Sequence, residues 1–99
     1  MSAQYIKDAI EGNDVVVFSK SYCPYCTSTK RAMAGLGLSS SPLFIELDEV
    51  SDGTSIQDAL ASLTGQRTVP NVFVKGQHLG GNDDTQAAIS GGQFKAMLA

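Results

Sequence analysis

The sequence predicts an α/β domain, a four-stranded mixed sheet covered by helices in the order αβαβαββα. Three observations carry this expectation. Val15, Val16, Val17 and Phe18 form a short unbroken β-branched and aromatic run, the pattern of a strand buried on both faces. Leu43 to Leu47 make a second strand, far enough along for the chain to cross back through a helix and return in parallel as a right-handed βαβ unit. Asn71 to Val74, then Gly76, then His78 to Gly80 read as a tight hairpin.

Taken in order, residues 3 to 11 place Ile6, Ala9 and Ile10 at helical spacing, with Gly12 where that helix stops. The Val15–Phe18 strand belongs in the centre of the sheet, because neither of its faces is polar. Pro24 marks the start of a second helix, since its missing N–H costs nothing at the first helical position. That helix continues through Lys30, Arg31 and Met33, with Gly35 and Gly37 past its end. After the Leu43–Leu47 strand, Thr54 with Gln57 makes a capping-box pattern. Ile56, Ala59, Leu60 and Leu63 form one apolar stripe, and Gly65 terminates this third helix. A short helix is expected at residues 83 to 89, and Phe94, Met97 and Leu98 give a last amphipathic turn or two. With no repeat, linker or low-complexity segment, residues 1–99 are expected to form one domain.

Composition narrows the function classes. The chain has 99 residues, 42% hydrophobic and 17% charged, which suits one core. No stretch approaches the roughly 18 to 20 apolar residues of a membrane-spanning helix, and residues 1–12 lack the apolar centre of a secretion signal. A soluble protein is expected, cytoplasmic, or organellar if a transit segment was removed. Seven basic against ten acidic residues give a net charge of -3, and the basic ones are scattered along the chain. Nucleic-acid binding therefore lacks its electrostatic footprint.

Cys23 and Cys26 are the two cysteines, spaced as C-x-x-C. Disulfide-stapled secreted domains carry more, across longer loops. Such a motif has three readings: a redox pair, half of a zinc site, or an incidental structural pair. Zinc needs four donors, and beyond the two thiols the chain offers the single His78 far along the sequence, so redox chemistry is favoured. A cysteine between a strand end and a helix start meets unpaired N–H groups and the positive end of the helix dipole, both of which favour the thiolate. Cys23 has that position. Lys20 adds positive potential three residues upstream, and Cys26, one turn further on, points its sulfur back towards Cys23. A stabilised thiolate gains little as an attacker, because nucleophilicity falls with basicity, but it leaves faster. Other residues are ambiguous taken singly. Asp83 and Asp84 suit a helix N-terminus as well as a ligand, Gly80 and Gly81 suit any turn, and Tyr25, Lys20 and Arg67 suit an ordinary surface. His78 reads as structural.

Cys23-Pro24-Tyr25-Cys26 after a hydrophobic strand resembles the active-site sequence of the dithiol glutaredoxins, members of the thioredoxin-like fold. Two further segments match in order: Thr68-Val69-Pro70 resembles the family's cis-proline segment, and Gly80-Gly81-Asn82-Asp83-Asp84 its glycine pair and acidic glutathione-binding turn. Asn82 departs from the serine or cysteine of many relatives. Thioredoxins usually carry Trp-Cys-Gly-Pro-Cys, and this chain has no tryptophan.

The resemblance implies that Cys23 is the nucleophile and Cys26 the resolving thiol. It implies a cis Pro70 that sets the Val69 backbone beside Cys23, ready to pair with a substrate cysteine as a strand would. Lys20 and Gln66 would meet the glycyl carboxylate of glutathione. Tyr25 would line the groove, and Asp83 and Asp84 would hold the γ-glutamyl end, with Thr68, Gly81 and Asn82 completing the site. Glutathione is then the reducing co-substrate, no metal is expected, and the partners are glutathionylated proteins and protein disulfides, met as a monomer without nucleic acid or membrane. A glutathione mixed disulfide would need Cys23 alone, whereas a protein disulfide would also need Cys26. Two rivals stand beside this. One is an iron–sulfur carrier, which Pro24 disfavours because glycine or serine more often follows the first cysteine in cluster-binding relatives. The other is a thioredoxin-like reductase driven by a flavoprotein.

Overall fold

The computed structural model describes residues 2–99. Its elements are α1 (Ser2–Gly12), β1 (Val15–Ser19), α2 (Pro24–Ala34), β2 (Leu43–Glu46), α3 (Gly53–Thr64), β3 (Asn71–Val74), β4 (Gln77–Gly80), α4 (Asn82–Gly91) and α5 (Gln93–Leu98). The strands form one sheet in the order β2-β1-β3-β4. Parallel pairing sets Ser19 opposite Glu46, and antiparallel pairing sets Val15 opposite Val74.

Alternation along β1 divides the core in two. Val16 and Phe18 face one side of the sheet with Ile6 of α1, Ile56 and Leu60 of α3, and Phe73. Val15 and Val17 face the other side with Met33 of α2, Ala88 of α4 and Phe94 of α5. Every residue of β1 and β3 is buried, as expected of strands between neighbours and under helices on both faces. The α1/α3 layer and the α2/α4/α5 layer thus cover the two faces of the sheet, and the β1–α2 junction emerges past the C-terminal end of its central strand β1.

The expected architecture is present, with local differences. Thr54 and Gln57 form no capping box. The helix begins two residues earlier than that box implies, at Gly53, with Asp52 at the cap position and no side-chain cap bond, and Gln57 Nε2 donates instead to the Arg67 carbonyl at 2.8 Å. Gly53 is pressed against the Leu47 backbone, and a Cβ there would overlap the Leu47 carbonyl oxygen. Close approach of two backbones, which the spacing of polar residues does not reveal, sets this boundary. Leu63 falls in the last turn of α3, beyond the packed stripe, and is 50% exposed. The helix expected at 83–89 extends over Asn82–Gly91. It is separated from α5 by Gly92, whose φ of 83° is the left-handed turn glycine accommodates.

Candidate active site

The β1–α2 junction turns on Cys23. Its backbone N–H donates to the Lys20 carbonyl at 3.1 Å, closing a tight turn, and its extended φ and ψ of -89° and 118° make it the N-cap of α2, with Pro24 next. The Cys23 sulfur then does what a capping oxygen does elsewhere and accepts from the Cys26 N–H at 3.4 Å. Half-buried, Cys23 also lies 3.9 Å from the Val69 carbonyl oxygen, across the Val69–Pro70 peptide, which is cis.

Cys26 differs from it in burial. It is fully buried, and both thiols are free. Burial pushes the Cys26 thiol up to about 12, reinforced by its hydrogen bond to Cys23 and by the proximity of the Cys23 charge, while the Lys20 amide and the Lys30 ammonium pull the other way. One sulfur is therefore presented to ligands, and the other is held behind it as a protonated thiol.

Beside Cys23 opens a groove of about 550 Å³, walled by Tyr25, Gln66, Thr68, Val69, Pro70, Gly81, Asn82, Asp83 and Asp84. Nine residues from three separated segments, all expected at the site, converge here. Tyr25 stands 65% exposed at its rim. Asp83 and Asp84 occupy the first turn of α4, where the helix dipole favours carboxylates. Gly80 is required beneath them: its φ of 127° lies in the left-handed half of backbone space, and a Cβ would overlap the Asp84 carboxylate. Lys20 is the expected residue that does not line the groove. Its backbone anchors the cysteine turn.

Two groove residues also have structural duties the sequence did not disclose. Gln66 Nε2 donates both its hydrogens to backbone carbonyls, of Thr68 at 3.1 Å and Pro70 at 3.0 Å, so its amide braces the loop that faces Cys23. Asn82 Oδ1 accepts from the buried Thr29 hydroxyl of α2 at 2.9 Å and from Gln86 Nε2 at 3.3 Å, tying the acidic turn to the cysteine-bearing helix. Sequence reasoning missed Ser21 and Asp48 altogether. The Ser21 N–H donates to Asp48 Oδ1 at 3.0 Å and its hydroxyl to Oδ2, which holds the Asp48 carboxyl below the usual carboxylate range and pins the cysteine turn to the end of β2. A separation of 27 residues leaves no local signal for such a pair.

His78 is structural, as expected. Its Nε2 bonds Asn71 Oδ1 at 2.8 Å, its ring packs on Phe73, and burial lowers its basicity against a smaller opposing pull from Asp84. A larger cavity of about 670 Å³ lies between Tyr5 of α1 and Ile56 of α3, without a cysteine or histidine in its walls. The smaller groove is the one that adjoins a cysteine, Cys23, through its Val69 wall. Among the described residues no group of three or more His, Cys, Asp or Glu side chains is placed to hold a metal ion, and no helix is long and apolar enough to cross a membrane.

Comparison with known proteins agrees with this geometry. The glutaredoxin family model matches residues 15–79. A glutaredoxin of Ricinus communis is 52% identical over 98 residues, covering 99% of this chain and 94% of its own. Glutaredoxin-C8 of Oryza sativa subsp. japonica is 48% identical over 96 residues, 97% of this chain and 71% of its own. Among solved structures, a buckwheat glutaredoxin–glutathione complex superimposes with a TM-score of 0.93 at 45% identity, covering 99% of this chain and 87% of that one.

Proposed function

The chain belongs to the glutaredoxin family of glutathione-dependent thiol–disulfide oxidoreductases, and on that premise we propose that it reduces protein–glutathione mixed disulfides through Cys23 and protein disulfides through Cys23 and Cys26 together. One observation carries this reading. A half-buried sulfur capping a helix sits beside a groove whose walls carry two carboxylates, while a second, buried thiol waits one helical turn behind it.

In the groove, Asp83 and Asp84 receive the γ-glutamyl ammonium, Tyr25, Thr68, Gly81 and Asn82 line the tripeptide, and Lys20 draws its glycyl carboxylate. Gln66 acts chiefly by holding the Thr68–Pro70 loop in shape, because its donors are already engaged there. The Val69 backbone pairs with the backbone of the bound cysteine. On the first route Cys23 attacks the glutathione sulfur of a mixed disulfide, the protein thiolate leaves and takes a proton, and a second glutathione thiolate then attacks the glutathione sulfur on Cys23, releasing glutathione disulfide and the Cys23 thiolate. On the second route Cys23 forms a disulfide with the target protein. Cys26 resolves it, and glutathione reduces the internal Cys23–Cys26 bond.

The surroundings of Cys26 support an ordered second route. Burial is the largest influence keeping Cys26 protonated, but two of the others come from Cys23, through its hydrogen bond and its charge. Both disappear when Cys23 enters a mixed disulfide, and the pulls of the Lys20 amide and the Lys30 ammonium then meet less opposition. Cys26 is thus readied as a nucleophile at the stage when it is needed.

The test is turnover of a glutathionylated substrate with glutathione and glutathione reductase. Wild type turns over and Cys23→Ser does not. Activity retained by Cys23→Ser, or turnover supported by a flavoprotein thioredoxin reductase and not by glutathione, would overturn the reading.

A further inference from the structure

Beneath the cysteine turn lies a polar cluster that neither route uses. Lys30 Nζ pairs with Glu46 Oε2 at 2.6 Å, and Glu46 Oε1 accepts from the Ser19 hydroxyl at 2.6 Å. Ser19 is fully buried at the end of β1 and sits opposite Glu46 in the parallel register. The Lys30 ammonium also lies 5.6 Å from the centre of the Phe44 ring. A half-buried ion pair of this kind is weak evidence for stability, because desolvation of both charges offsets much of their attraction. What the cluster does supply is a fixed position for a lysine, and a flexible four-carbon side chain seldom has one.

Lys30 stands four residues after Cys26, one turn along the same face of α2. The charged and titratable groups acting on Cys26 are Cys23, Lys20 through its backbone N–H, and Lys30, with Glu46 holding Lys30 from β2. We propose that Lys30, held by Glu46, Ser19 and Phe44, is the positioning residue that stabilises the Cys26 thiolate during resolution, and that it acts on the dithiol route alone.

This rests on the assignment of Cys26 as the resolving thiol. The step is balanced as follows. Cys26 gives its proton to solvent, its thiolate attacks the Cys23 sulfur, and the Cys23–Cys26 bond forms as the bond from Cys23 to the outgoing sulfur breaks. That sulfur leaves with the electron pair and takes up a proton. Lys30 exchanges none. Its charge favours the state in which Cys26 is negative.

Glutathione closure isolates the step without any protein substrate. Reduced enzyme is mixed with oxidised glutathione, and the conversion of glutathionylated Cys23 to the internal disulfide is followed by acid quench and intact-mass measurement. Reducing a thiolate population tenfold raises its intrinsic nucleophilicity about threefold, so each such step slows attack about threefold net. For Lys30→Met we expect closure to slow about two- to threefold, with its pH–rate midpoint moved upward. Lys30→Arg should restore both, and single-thiol turnover of Cys26→Ser should be the same with and without Lys30→Met. Unchanged closure, an Arg variant as slow as Met, or an equal loss in the Cys26→Ser background would overturn the proposal. A wild type that closes its internal disulfide yet fails the turnover assay would instead refute the proposed function.

Discussion

Replacing Cys26 by serine should separate the two proposed routes, by an amount that can be worked from the structure. With its thiol pushed up to about 12, Cys26 at pH 7 is ionised to a fraction on the order of 10⁻⁵ in the reduced enzyme. A well-oriented internal nucleophile acts as though present at about 10⁵ M or more, which makes its effective thiolate concentration about 1 M. Glutathione at about 1 mM, with an ordinary thiol near 8.5, offers only about 3 × 10⁻⁵ M thiolate. Cys26 therefore outruns solution glutathione by a factor of at least about 10⁴, before counting the greater nucleophilicity of the more basic thiolate. Discounted generously for imperfect alignment, resolution of an enzyme–protein disulfide should still fall more than about 100-fold in Cys26→Ser. Turnover of a glutathione mixed disulfide should persist or rise, since the Cys23–glutathione intermediate is no longer diverted into an internal disulfide. Both assays are run on one preparation with glutathione and glutathione reductase. Equal loss in the two would show that Cys26 shapes the site and does not merely resolve, and the division into two routes would be wrong.

Three further outcomes are expected. Asp84→Ala should raise the KM for glutathione about fivefold, the roughly 1 kcal/mol of an exposed ion pair, with melting temperature nearly unchanged; unaltered glutathione kinetics would reduce Asp84 to a helix-end charge. Because burial lowers His78 below its ordinary value, the folded state binds fewer protons than the unfolded chain under acid conditions. The stability from neutral His78 is full above about pH 6.5 and is lost as pH falls through the folded value, so melting curves from pH 7.5 to 5 should decline more steeply in wild type than in His78→Gln. Gly53→Ala should destabilise by about 3 kcal/mol, a fall in melting temperature of roughly 12 °C or more, since its Cβ meets the Leu47 carbonyl and backbone must move; a melt within a few degrees of wild type would count against that packing.

How much of this was legible in advance depends on the range of the interaction. Periodicity and local steric rules are properties of neighbouring residues, and they sufficed for β1 as a central strand, for Pro24 as a helix start and for the 71–80 hairpin. The Cys23–Cys26 spacing, with Pro24 between them, likewise placed one thiol at a helix cap and the second one turn further on, because proline is favoured at the first helical position. Resemblance along the chain added the remaining segments of the groove, and the fold brings Tyr25, Gln66, Thr68–Pro70 and Gly81–Asp84 together.

Tertiary structure alone decided what depends on distance across the sheet. Ser21 with Asp48, Ser19 with Glu46 and Lys30, and Thr29 with Asn82 are pairings between elements, and nothing in the local pattern of any one of them names its partner. The same holds for the contrast between the two thiols. By composition Cys23 and Cys26 are identical groups three residues apart, and the full burial of Cys26 against the partial burial of Cys23 was not legible in the spacing. Solvation is set by everything that packs against a side chain, and in this protein α4, far from the motif in sequence, packs against the helix that carries it.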